Sequence, residues 1–145
     1  MFTCWSMIEF IIFWCEWSLI WKSTQKPCTS LSLCEAEVCS TNQCTKIDQH
    51  LRHVLSDLLH IDLPQNTEFY NKNHKCVYWS KSLTTKRMKH PILRENNIRG
   101  FVHNKELEVH NISGKLNVSD IFTKERRYGA HFRALRYALM RPIPQ

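Results

Sequence analysis

Glycine is scarce in this chain of 145 residues, which contains only three glycines and five prolines. Phosphate-binding loops of the usual kind need several closely spaced glycines, because a residue without a side chain lets the backbone approach the phosphate closely. Three scattered glycines exclude such a loop and the nucleotide-binding signatures built on it. The sequence also contains no internal repeat of the kind that produces solenoids or propellers.

Paired cysteine motifs are missing as well. Seven cysteines are scattered along the chain, and no two of them form a C-x-x-C pair. An odd count without paired spacing argues against a disulfide framework or a zinc ribbon. We therefore expect reduced thiols in a cytosolic or nuclear protein, with Cys39 and Cys44 buried as small apolar residues of a helix.

Positively charged residues are few in residues 1–60 and concentrated in residues 61–145. Residues 1–60 carry four Lys/Arg against six Asp/Glu, whereas residues 61–145 carry sixteen against seven, for a net charge of +7 overall. A basic half favours an anionic partner, with nucleic acid first and a membrane surface second. The alternative is a basic surface that is merely solvated.

Residues 5–21 form an aromatic and aliphatic stretch that raises the question of a membrane segment. The stretch is about 17 residues long, at the lower limit for a spanning helix, and it contains Glu9 and Glu16. No Lys or Arg precedes it, so it lacks the positive region of a signal peptide. Its Ile, Phe and Trp content instead predicts two strands, Met7–Trp14 and Ser18–Lys22, joined by a turn at residues 15–17. A small membrane-associated protein anchored by residues 5–21 remains the alternative.

The longest periodic pattern predicts the main helix. We expect it to cover Leu33–Leu59, within a segment of residues 33–60. Apolar residues recur there at intervals of three and four from Cys44 to Leu59 and form one stripe. Ser32 and Glu35 fit a capping box at its start. His50 and His53 have a spacing that would allow a shared metal, but exposed histidines are the simpler interpretation.

The rest of the chain alternates between strand and helix signals, so the fold class is predicted as α/β. Residues 67–112 are expected to form a strand, a basic segment and a second strand, and residues 114–141 to form C-terminal helices. The basic segment interleaves cations with aromatic rings, as in grooves that follow a phosphate backbone. The candidate nucleic-acid-binding residues are Lys72, Lys75, Lys81, Lys86, Arg87 and Lys89. The alternative is a core of apolar residues with solubilising lysines around it.

Four ordered motifs resemble one known family. They are W-K-S-x-Q at 21–25, L-C-E-A-E at 33–37, C-V-Y-W-S-K-S-L-T-T-K at 76–86 and G-K-L-N-V-S-D-I-F-T-K-E at 114–125. Together with H-F-R-A-L-R-Y-A-L-M at 131–140, they are similar to the ribonuclease H domain at the C-terminal end of Copia-type retrotransposon polyproteins. The resemblance covers most of the chain. It implies a mixed sheet flanked by helices and one single domain over residues 1–145.

The resemblance also implies a site. Ribonuclease H domains cut the RNA strand of an RNA–DNA hybrid with two Mg²⁺ ions, which four carboxylates hold beside the phosphodiester. By motif, the helix acid of the family corresponds to Glu37 and the late acid to Asp120. These two residues are the candidate catalytic and metal-ligating remnants.

The other two acids of the family do not match. Lys72 stands at the position of the third acid, and an ammonium group cannot ligate Mg²⁺. The first acid belongs to a strand that this chain lacks, since no aspartate precedes Asp48. We therefore expect a partial ribonuclease H-like domain without its first strand, without endonuclease activity and without bound Mg²⁺. Nucleic acid is the expected partner, and neither a small-molecule substrate nor a membrane is expected.

Overall fold

The computed structural model describes residues 7–15, 17–25, 33–63, 66–82, 92–122 and 129–140, excepting the side chains of 33–35 and 92–96. These residues form, in order, β1 (Met7–Trp14), β2 (Trp17–Gln25), α1 (Leu33–Leu59), β3 (Thr67–Asn71), α2 (His74–Lys81), α3 (Ile92–His103), β4 (Leu107–Asn111), a 3-10 helix (Val118–Phe122) and α4 (Gly129–Leu139). The prediction of a mixed α/β class is confirmed.

The aromatic stretch at the start of the chain forms an antiparallel hairpin of β1 and β2. Both predicted strands are confirmed, and the second is longer than expected, from Trp17 to Gln25. Cys15, in the turn, has a φ of 46° and so adopts the left-handed conformation that glycine normally supplies. The chain therefore turns here without glycine, at some cost in backbone strain. Among the helices of the described ranges, none is both long and apolar enough to cross a membrane.

Helix α1 has the bounds that the periodicity predicts. Val38, Cys39 and Cys44 are buried, as expected for apolar positions of its inner face, and His50 and His53 are exposed. Burial, followed by the nearby charge of Asp48, raises the pKa of the Cys44 thiol to about 12. The proposed capping box lies outside the described residues.

Strands β3 and β4 pair in parallel, with Thr67 opposite Leu107 and Asn71 opposite Asn111. Parallel strands need a long crossover connection, and here it contains α2 and α3. Helix α2 was not predicted, because cations hide its apolar positions in the sequence. Its cap explains why it forms: the Asn73 side chain accepts hydrogen bonds from the backbone N–H groups of Lys75 and Cys76.

The two strand pairs lie against the same helix but remain separate two-stranded sheets within the described ranges. The resemblance implies a mixed sheet without its first strand, whereas the described strands form two separate pairs. Two clusters of buried side chains form the core. One contains Val38, Cys76, Val77, Trp79, Ile98, Leu107 and Val109, and the other contains Ile8, Phe10, Ile12 and Cys44. Phe69 of β3 packs against both clusters, so the core is continuous across the space between the sheets.

Candidate functional site

A buried ion pair lies where β3 ends. Asp120, on the 3-10 helix, is fully buried, and its Oδ1 accepts a hydrogen bond of 2.8 Å from the Lys72 Nζ. The Asn117 side-chain amide donates to the same oxygen at 3.4 Å. A buried carboxylate needs such donors, because removing its charge from water without compensation costs several kcal/mol. The ion pair therefore joins the end of β3 to the 3-10 helix.

Glu9 of β1 is the second carboxylate at the same ammonium. Its Oε1 lies 3.6 Å from the Lys72 Nζ, and its side chain is only 14% exposed. Glu9 lies in none of the four motifs, so the sequence does not mark it as a site residue. The only signal that could have found it is a charge inside a strand whose other members are apolar.

Glu37 of α1 is the third carboxylate of this group. Its Oε2 accepts a hydrogen bond of 3.5 Å from the Asn71 side-chain amide. Burial raises the pKa of the Glu37 carboxyl above its ordinary value of 4.5. The Lys72 charge opposes this shift, and the charges of Glu9 and Asp120 reinforce it. The Glu37 carboxyl therefore gains a proton more readily than an ordinary glutamate, because its pKa is raised.

Lys72 keeps its charge because of these three carboxylates. Burial alone would lower the pKa of the ammonium group. The hydrogen bond to Asp120 and the negative charges of Asp120, Glu37 and Glu9 outweigh burial and raise that pKa above 10.5. We call Glu9, Glu37, Lys72 and Asp120 the lysine–carboxylate cluster. Its ammonium occupies the centre that three acidic side chains surround.

Asn71 sets the position of Lys72. Its Oδ1 accepts the backbone N–H of Asn73 at 2.8 Å, and its amide lies 3.4 Å from the Thr41 hydroxyl of α1. Asn111 donates to the Asn71 carbonyl at 3.1 Å, which fixes the end of β3 against β4. Asn71 is 5% exposed, and no motif singled it out. The turn that aims the Lys72 side chain at the acids is therefore held by a buried hydrogen-bond network.

The structure brings together the residues that the resemblance marked: the Lys72 ammonium is bound to Asp120 and interacts electrostatically with Glu37. Their donor set does not fit the pair of Mg²⁺ ions that the family implies, because Mg²⁺ prefers several hard oxygen ligands and Lys72 supplies a positive charge instead. In the described part of the chain, no three His, Cys, Asp or Glu side chains form a group able to hold a metal ion.

The candidate nucleic-acid-binding residues divide into three groups. The Lys72 ammonium faces carboxylates, so it is engaged within the cluster. Lys75 and Lys81 are exposed on α2, and Tyr78 between them is 78% exposed. Lys86, Arg87 and Lys89 lie outside the described residues. Within the described part of the basic segment, the exposed surface of α2 therefore presents two lysines, Lys75 and Lys81, beside the exposed ring of Tyr78.

Comparison with known proteins adds no relative to this picture. No protein-family model, no curated protein and no solved structure matches the chain.

Proposed function

We propose that this chain is a ribonuclease H-like domain of Copia-type retroelement ancestry, in which an internal ammonium group has taken the place of the metal ions. In this proposal the domain does not cleave RNA. The observation that supports it best is the spatial convergence of Glu37, Lys72 and Asp120. They come from α1, the end of β3 and the 3-10 helix, far apart in the chain, yet they are the three positions that the motifs relate to the catalytic acids.

The chemistry of the cluster explains the loss of activity in this proposal. Two-metal hydrolysis needs one cation to activate the attacking water and another to stabilise the leaving oxygen. Lys72 neutralises part of the acidic charge at 2.8 Å from Asp120 and 3.6 Å from Glu9. An ammonium group balances buried carboxylates and stabilises the fold, but it does not coordinate a water molecule and lower its pKa as a metal ion does.

A hydrolysis assay tests the activity. The whole chain is incubated with Mg²⁺ and an RNA–DNA hybrid whose RNA strand is labelled. We expect no cleavage above a heat-inactivated sample. Mg²⁺-dependent cleavage that disappears in Glu37→Gln would contradict the proposal.

A variant tests the assignment of the cluster. Lys72→Asp would surround the site with four carboxylates, and we expect Mg²⁺ or Mn²⁺ to raise its melting temperature by several degrees. The wild-type chain and Lys75→Asp, which changes an exposed lysine three residues away, should show no such shift. Should Lys72→Asp fail to fold, Lys72→Asn supplies a neutral oxygen ligand at the same place. The absence of cation stabilisation in both variants would exclude an ancestral metal site here.

Nucleic-acid binding without catalysis is a second candidate function. The basic surplus of residues 61–145 and the exposed cations of α2 favour it. Binding through phosphates would weaken steeply as salt concentration rises. Catalysis and binding are separable here, because the cations on α2 are not members of the lysine–carboxylate cluster.

A further inference from the structure

Two strand edges face one cleft. Strand β1 is paired with β2 on one side only, and β3 is paired with β4 on one side only. Within the described ranges, no third strand joins either pair. The cleft between the pairs is lined by β1 from Met7 to Trp14, by α1, and by β3. Unpaired edges carry rows of backbone donors and acceptors, which makes them templates for a further strand.

Helix α1 shows how the two edges are oriented. Near the start of β1, the Ser40 hydroxyl donates to the Glu9 carbonyl, and the apolar residues of β1 pack against Cys44, Ile47 and Leu51 further along the helix. Strand β1 therefore runs in the direction of α1.

Strand β3 runs the opposite way. Its first residue, Thr67, accepts a hydrogen bond from Arg52, whereas its last, Asn71, contacts Glu37, slightly more than four helical turns earlier. The two edges are thus antiparallel to each other. One strand between them would pair in parallel with one edge and antiparallel with the other, and both pairings are stable in proteins.

The size of the cleft matches one strand. Its volume is about 800 Å³. A strand of five residues, as long as β3, fills a slab roughly 17 Å long, 4.8 Å wide and 10 Å thick, or about 800 Å³. The floor of the cleft is apolar, because Phe10, Ile12 and Phe69 lie along it.

The charged side chains that line the cleft indicate the charge of the strand that it could bind. Four carboxylates line the cleft against two cations, although the chain as a whole is basic. The acids are Glu9, Glu37, Asp48 and Glu68, and the cations are Arg52 and Lys72. This acidic lining favours a basic occupant.

The buried side chain of Asp48 gives an independent indication that the cleft binds a hydrogen-bond donor. The residue is 6% exposed, and no donor within the described ranges reaches its Oδ2. A buried acceptor without a donor costs about 1–3 kcal/mol, and more when it is charged. A backbone N–H or a basic side chain entering the cleft would satisfy this oxygen.

We propose that the cleft binds one extended strand of another polypeptide, with apolar side chains alternating toward α1 and basic side chains at its ends. The bound strand would join the two pairs into one five-stranded sheet. This inference rests on the facing edges, the volume and the charge of the cleft, and it does not depend on the ancestry proposed above.

A designed peptide tests the proposal. The probe is the acetylated and amidated peptide Lys-Val-Thr-Ile-Thr-Val-Lys, labelled for fluorescence anisotropy and added to the whole chain. We expect saturable binding, together with slower hydrogen exchange of the backbone amides of both β1 and β3. The same peptide with its central isoleucine replaced by proline should bind at least about tenfold more weakly, because proline removes a backbone donor and resists the extended ladder.

Matched protein variants locate the binding. Asp48→Asn should weaken binding about tenfold, since a hydrogen bond to a charged group is lost. Asp57→Asn, on the exposed side of the same helix, should leave the affinity unchanged. Glu68→Gln provides a second test at an exposed position of β3, where a smaller loss is expected.

Three results would each overturn the proposal: no binding at millimolar peptide, equal binding of the proline peptide, or protection confined to β2. Failure of this proposal would leave the cleavage and metal-binding tests of the proposed function unaffected.

Discussion

The ammonium group of Lys72 lies 2.8 Å from a carboxylate of Asp120 that has no exposure to solvent. The two residues are 48 positions apart, and their contact links the end of β3 to the 3-10 helix. Because Glu9 lies at the same ammonium, one lysine also connects β1 to both elements. The cluster therefore has a structural role whatever its ancestry.

Replacing Lys72 should destabilise the chain. In Lys72→Met, Asp120 keeps its burial but loses its charged partner. We expect a loss of about 2–3 kcal/mol in the free energy of unfolding, less than the roughly 3–5 kcal/mol of a fully buried pair, because Lys72 is 32% exposed. Urea denaturation measures the loss. Lys75→Met, at an exposed position of α2, is the control and should change stability by less than about 0.5 kcal/mol. Equal stability of both variants would show that the ion pair does not hold the fold.

The pKa of Glu37 predicts a specific pH dependence. Its carboxyl has a raised pKa in the folded chain, so the folded state holds that proton more tightly than the unfolded state does. The resulting stabilisation is complete below pH 4.5 and is lost as pH rises through the raised pKa. We expect Glu37→Gln to remove this decline, so that the difference in stability between variant and wild type grows from pH 4.5 toward neutrality.

Urea midpoints measured at several pH values test this expectation. Asp57→Asn, which changes an exposed acid of the same helix, serves as the control and should leave the slope of the wild-type chain intact. A slope in Glu37→Gln identical to that of the wild type would contradict the assignment. Asp48, whose pKa is also raised, chiefly by burial, should contribute to the remaining slope.

The turn at Cys15 offers a stabilising substitution. Its φ of 46° costs a non-glycine residue roughly 1 kcal/mol. Cys15→Gly should therefore raise the free energy of unfolding by about 0.5–1 kcal/mol, measured by thermal denaturation. Ser23→Gly, within β2, should have the opposite sign, since glycine weakens a strand interior. A destabilised Cys15→Gly would mean that the cysteine side chain contributes more than the strain removes.

Nucleic-acid binding predicts a measurable role for the exposed cations of α2. Lys75→Glu combined with Lys81→Glu should lower the affinity for an RNA–DNA hybrid and reduce the slope of log affinity against log salt by about 2. Lys46→Glu, an exposed lysine of α1, is the single-charge control. An unchanged slope in the double variant would remove α2 from the interface, and no salt-dependent binding at low ionic strength would exclude this function.

Local sequence patterns predicted three of the described elements: α1, β1 and β2. The three- and four-residue periodicity predicted α1 from Leu33 to Leu59, and clustered Ile, Phe and Trp predicted β1 and β2. Both patterns are readable because they extend over many consecutive residues. The stripe of α1 is nevertheless buried only in part, since Leu58 and Leu59 at its end are exposed. Helix α2 escaped prediction because its buried residues form only a short run that exposed Tyr78 interrupts, with Lys75 before it and Lys81 after it.

The sequence by itself determined the α/β class, the bounds of β1 and α1, and the motifs that place Glu37, Lys72 and Asp120 in one resemblance. Only the tertiary structure decided that Glu9 joins them and that Asn71 aims the lysine. It also decided that the strands form two separate pairs with facing edges. The physical reason is range. Periodicity and capping act over a few residues, whereas an ion pair across 48 residues and the pairing of the described strands into two sheets depend on how the elements pack on α1.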